Sequence, residues 1–71
     1  MHEEKYNNYS IVIIWHKTDP GWSVKWEIVK PIKNGRESIK AELLSIEEEI
    51  SEDDAVRLGV REAQKYINRN L

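Results

Sequence analysis

Seventy-one residues allow one domain, and a chain without cysteine excludes a disulfide framework and thiolate zinc sites. Eleven Lys and Arg against thirteen Asp and Glu give a net charge of −2, too close to neutrality for the whole surface to bind nucleic acid nonspecifically. The charges are segregated all the same: Glu42 to Asp54 holds seven acids and no base, and the remaining six acids and eleven bases leave +5 elsewhere.

Met1 to Asn8 is polar, with no apolar stretch behind a basic start. It reads as a mobile tail in front of a single domain over 9–71, and not as a secretory leader. The longest purely apolar run, Ile11 to Trp15, is far too short to span a bilayer. With no cysteine and no leader, the expected setting is a soluble protein of the cytoplasm, away from membranes.

Tyr9 to Lys17 is rich in β-branched and aromatic residues and predicts the first strand. Thr18-Asp19-Pro20-Gly21 is a turn, since proline presets φ and glycine accepts positive φ. Trp22 to Lys30 alternates cleanly as the second strand, with Trp22, Val24, Trp26 and Ile28 on one face. Asn34-Gly35 favours a tight two-residue hairpin turn. Glu37 to Ile46 predicts the third strand, with Ile39, Ala41 and Leu43 facing the same way as the tryptophans.

Ser51 then suits a helix N-cap, and Asp54 stands three residues on, near capping-box spacing. Acids at 52–54 and bases at Lys65 and Arg69 complement the helix dipole. Val56, Gly59, Val60, Ala63, Tyr66 and Ile67 form an apolar stripe at helical spacing over 51–69. The expected fold is α+β: a three-stranded antiparallel meander (9–17, 22–30, 37–46) packed on one C-terminal helix (51–69). Two hairpin registers support it. Lys17 opposite Trp22 sets Trp15 beside Val24, Ile13 beside Trp26 and Ile11 beside Ile28. Lys33 opposite Arg36 sets Trp26 beside Leu43 and Ile28 beside Ala41. Both send apolar side chains to one face, and a one-residue slip would break the agreement.

The opposite sheet face then shows a mixed-charge middle, Lys25, Glu27, Lys40 and Glu42, between aliphatic margins of Val12 and Ile14 on one side and Leu44 and Ile46 on the other. One helix cannot cover both faces, and the first strand would be an open edge with apolar residues on both sides. Exposed edges of that kind recruit strands. Val12, Ile14, Leu44 and Ile46 are therefore the expected partner-binding residues, for another protein or a second copy of the chain. Scattered surface aliphatics, or aliphatics covered by the tail around Tyr6, are the plainer alternative.

Arg57, Arg61, Lys65 and Arg69 recur every four residues along one helix side and are the expected phosphate-contacting residues if nucleic acid is bound. Glu62 interrupts them and no aromatic residue interleaves. The three tryptophans fall to the covered face and read as core, not as base-stacking platforms. The acids of 47–54 lack the glycine and ligand spacing of a calcium loop and read as a solvated loop and a helix start. His16, expected opposite Ser23, has neither the oriented base nor the pocket that a nucleophilic triad requires. No metal site, cofactor motif or catalytic set emerges, and the expectation is a protein without enzymatic activity.

The order of strands and helix resembles the three-strand-plus-helix DNA-binding domains of plant AP2-type factors and of integrase arm-binding domains. That likeness is one of topology. The exposed sheet face is expected to carry Glu27 and Glu42 beside Lys25 and Lys40 and lacks an arginine-rich pattern, so no DNA-contacting residue is carried over. Gly21-Trp22, Ser51-Glu52-Asp53-Asp54-Ala55, Gly59, Ala63 and Tyr66-Ile67 are similar to small bacterial proteins of the same plan, a resemblance that implies a fold and no activity.

Overall fold

The computed structural model describes every residue, Met1–Leu71. In chain order it holds β1 (His2–Tyr6), β2 (Tyr9–Lys17), β3 (Trp22–Ile32), β4 (Gly35–Ile46) and α1 (Glu52–Asn70). The strands form one antiparallel meander in the order β1-β2-β3-β4, and α1 crosses one face over β2 and β3. The α+β class stands; the count of three strands is corrected to four.

The additional strand comes from the segment expected to be a tail. Tyr6 pairs with Tyr9 around the two-residue turn Asn7-Asn8. Asn7 adopts φ 57, a left-handed conformation that asparagine tolerates better than most residues. His2-Glu3-Glu4-Lys5-Tyr6 lacks β-branched residues, so propensity hid the strand. Its pairing aligns His2, Glu4 and Tyr6 with the inward residues Ile13, Ile11 and Tyr9. The Tyr6 hydroxyl donates to Asn68 Oδ1 at 3.0 Å, tying β1 to the end of α1. Strand β2 is therefore internal, and the open edge expected there is closed. The new outer edge is five residues long and charged, a poor template for further strand addition.

The β2–β3 hairpin has the expected register throughout, from Lys17 opposite Trp22 to Ile11 opposite Ile28. The β3–β4 hairpin does not. Ile32 pairs with Gly35, so Lys33-Asn34 form the turn, and the positive φ of 147 falls on Gly35. A bulge between Ile28 and Val29 adds a further shift. Moving the turn by one residue changes the pairing by two, and the bulge restores one. The net slip of one residue turns every β4 side chain below the bulge to the other face. Trp26 thus pairs with Glu42, Val24 with Leu44 and Trp22 with Ile46, in place of Trp26 with Leu43 and Ile28 with Ala41. Pro31 is tolerated within β3 because it lies beyond the end of β2, where β3 has a neighbour on one side only.

The core joins Ile11, Ile13, Val24, Trp26, Ile28 and Ile46 of the sheet to Ala55, Val60, Ala63 and Ile67 of the helix. Gly59 sits between them: a Cβ there would lie 2.7 Å from Val24 Cγ1 and 3.3 Å from Ile13 Cδ1. Glycine at this position lets the helix backbone approach the sheet. Ser51 caps the helix as expected, its hydroxyl accepting from the Asp54 N–H at 3.1 Å. All three tryptophans turn to the helix side. Trp26 is 4% exposed and packs against Tyr66, with ring centroids 6.1 Å apart. Trp15 and Trp22 are half-buried, and their indole N–H groups donate to Glu52 Oε2 and to the Ile50 carbonyl, both at 2.9 Å.

The turn before β3 is clamped by the loop that follows β4 at the same end of the sheet. Glu49 accepts two hydrogen bonds from Lys17 Nζ at 3.0 Å and one from the Gly21 N–H at 3.1 Å. Those donors hold its carboxyl below the usual carboxylate range, the Lys17 hydrogen bond first and the Gly21 N–H second. Lys17 also lies over the Trp22 ring, 5.4 Å from its centroid. Gly21 has φ +88, and a Cβ on it would meet the Ile46 carbonyl oxygen, so no other residue fits this turn.

Candidate interaction surface

Because α1 covers one face, the other face of the sheet is solvent-facing along most of its length. Paired residues share a face, so the registers place its side chains in rows across the strands. One row runs Ile14–Lys25–Leu43. The next, toward the β3–β4 turn, runs Glu3–Val12–Glu27–Ala41. The next in the other direction runs His16–Ser23–Ser45.

Two large aliphatic side chains stand out of this face, Ile14 at 51% and Leu43 at 69% exposed. Complete burial of such a side chain contributes about 1.5–3 kcal/mol. At these exposures the two together hold on the order of 2–4 kcal/mol of burial that the monomer does not realise. Val12 and Ala41 in the adjacent row extend the apolar surface. Between them lie Lys25 and Glu27, neither of which has an ion-pair partner within the chain.

Toward the β3–β4 turn the face closes. Arg36 of β4 reaches Glu3 of β1 with a 2.9 Å ion pair, so the outer strands approach one another there. Ser10 and Val29, both on this face by their pairing, are buried at that end. The surface is thus a shallow trough at one end that opens past Val12, Glu27 and Ala41 onto the protruding Ile14–Lys25–Leu43 row.

Of the expected partner-binding residues, Val12 and Ile14 lie on this face. Leu44 and Ile46 do not: the slipped register turns them to the helix side, where Ile46 is 8% exposed in the core and Leu44 packs against it. Ala41 and Leu43 take their place. Lys40 and Glu42 also move to the helix side, where they pair at 3.2 Å and Lys40 lies 5.5 Å from the Tyr66 ring centroid. Leu43 was legible in the strand itself, but only the position of the turn and the bulge decides which face it occupies.

The expected phosphate-contacting residues remain on the exposed side of α1. Lys65 is paired with Glu62 at 3.0 Å, whereas Arg57, Arg61 and Arg69 have no ion pair. Arg57 and Arg61 border a groove between β1 and α1 that Glu4, Glu52 and Asp53 also line, so its charge is mixed. His16 pairs with Ser23 as expected and is exposed, with no hydrogen bond from its ring to an acid. No three His, Asp or Glu side chains gather into a metal-binding group, and no helix is long and apolar enough to cross a membrane.

Comparison with family models, with curated proteins and with solved structures finds no match to this chain.

Proposed function

We propose that this chain is a small nonenzymatic protein-interaction module whose docking surface is the open sheet face around Val12, Ile14, Ala41 and Leu43. The observation that carries this reading is the pair Ile14 and Leu43, half to two-thirds exposed in one row on the sheet face that α1 leaves uncovered. Exposed aliphatics on both sides of a charged centre offer a partner apolar contact together with charges that fix orientation. The recognition mode differs from strand addition at β2, since β1 occupies that edge.

Photo-crosslinking in cells tests it. A photoreactive residue at position 43 is expected to capture protein, and the same probe at position 61 on the helix is not. Ile14→Lys should remove the position-43 crosslinks while leaving the melting temperature unchanged. No protein captured at position 43 would overturn the reading.

A second reading rests on Arg57, Arg61 and Arg69, which are exposed and unpaired along one helix side. They would contact the phosphates of a nucleic acid. Binding to a single- or double-stranded oligonucleotide should then fall steeply with salt, and Arg61→Glu should abolish it. The acids bordering the same groove weaken this reading relative to the first.

A further inference from the structure

The open face carries a pattern that selects its own copy. Resting on the interaction-module reading, we infer that the partner is a second copy of this chain, packed face to face about a two-fold axis that lies between the Ile14–Lys25–Leu43 row and the Val12–Glu27–Ala41 row. A two-fold interface sets each residue against the residue at the mirrored position of the patch. With the axis along the rows, Ile14 of one copy meets Val12 of the other, Lys25 meets Glu27, and Leu43 meets Ala41. The larger side chain meets the smaller at both aliphatic contacts. The charge pair is met twice, once on each side of the axis. The more protruding row of each copy enters the shallower row of the other.

The charges decide the register. Lys25 and Glu27 lack partners inside the chain, and they stand two residues apart on one strand face. An axis running through the Ile14–Lys25–Leu43 row would set Lys25 against its own copy, a like-charge contact that costs stability. Shifting the axis toward His16 and Ser23 would set Lys25 against serine and Leu43 against Ser45. Only the axis between the two inner rows satisfies both charges and both aliphatics. The aliphatics supply the affinity, and the Lys25–Glu27 pairs supply orientation more than strength.

The size of the face sets the strength. Three strands, β2 to β4, about 4.8 Å apart and the six residues Val12 to Lys17 at about 3.3 Å each make it roughly 14 by 20 Å, on the order of 300 Å² in projection. That is below the roughly 800 Å² per partner of a standard interface, in the class of weak and transient contacts. The dimer is expected to dissociate in the micromolar range or above.

Sedimentation velocity over a concentration series up to about 1 mM, a ceiling chosen for that weak class, tests the inference on the full chain. The unmodified protein should shift from monomer to dimer. Lys25→Glu alone and Glu27→Lys alone should each weaken the dimer at least about tenfold, because each replaces two attractive contacts by two repulsive ones. The double variant Lys25→Glu/Glu27→Lys should dimerise like the unmodified chain. Equal amounts of the two single variants should pair with each other, since each brings the charge that the other lacks at both contacts. All three are surface changes, and melting curves confirm that they fold. If one single variant fails to fold, the other single variant together with the double variant still decides. A monomer at every concentration would overturn the inference, as would a dimer indifferent to the single changes or a double variant that stays monomeric. Monomeric protein that still crosslinks a different protein at position 43 would overturn the self-partner while leaving the interaction module standing. Loss of both signals would remove both.

Discussion

Replacing Gly59 by alanine sets two effects of opposite sign against each other. Alanine in a helix interior gains about 1 kcal/mol over glycine. Here its Cβ would stand 2.7 Å from Val24 Cγ1, about 1 Å inside the comfortable separation of two carbons. Val24 is completely buried and β-branched, and it is paired on both sides by Trp15 and Leu44, so its methyl has no free rotamer to move to. The helix must then lift, at the about 1–3 kcal/mol that overpacking costs. Overpacking wins, and Gly59→Ala should destabilise the fold by about 1 kcal/mol net, a fall of about 4–8 °C in melting temperature for a domain of this size. Urea unfolding followed by tryptophan fluorescence measures it, with an unchanged slope marking a change in stability alone. The reasoning is sharpest in a Val24→Ala background. There the obstructing methyl is absent, the remaining 3.3 Å approach to the end of the Ile13 side chain is relieved by a small shift, and Gly59→Ala should raise stability. The same effect in both backgrounds, or a more stable Gly59→Ala in the unmodified chain, would show that the helix does not approach the sheet as closely as described.

Two further expectations concern the ends of the sheet. Deleting residues 1–8 removes β1 and its Tyr6–Asn68 hydrogen bond and uncovers the edge of β2; it should cost on the order of 2 kcal/mol by lost burial and promote aggregation through the freed edge. A urea midpoint equal to that of the full chain would mean that β1 does not pair. The Glu49 clamp predicts a pH dependence. Its carboxyl is held below the ordinary value of 4.5 by Lys17 and the Gly21 N–H, so its contribution is complete above that value and is lost as the pH falls through the lowered one. Melting temperatures of the unmodified chain and of Glu49→Gln should differ at neutral pH and converge in acid below 4.5. A difference that persists unchanged in acid would refute the clamp.

Much of the fold was legible from the residues alone because each of those features is local. The alternation of Trp22, Val24, Trp26 and Ile28 marks a strand and its buried face. Thr18-Asp19-Pro20-Gly21 closes a hairpin whose register follows from loop length. Ser51, the acids behind it and the stripe through Gly59, Ala63 and Ile67 define the helix and the side it buries. Val12 and Ile14 fall on the open face because the β2–β3 register is set by that turn. What remained hidden depends on contacts distant in the chain. His2 to Tyr6 has no strand propensity of its own and becomes β1 because its backbone groups find partners along β2, whose edge needs covering. Asn34-Gly35 is a strong local turn signal, yet the turn forms one residue earlier and a bulge follows. Burying Leu44 and Ile46 under the helix, beside the clamped 47–50 loop, is worth more than the preferred turn. That one-residue choice also exposes Leu43 beside Ile14 on the open face. Which aliphatic residues could meet a partner was therefore decided by tertiary packing, because the face of a strand residue depends on register, and register here is settled by the core.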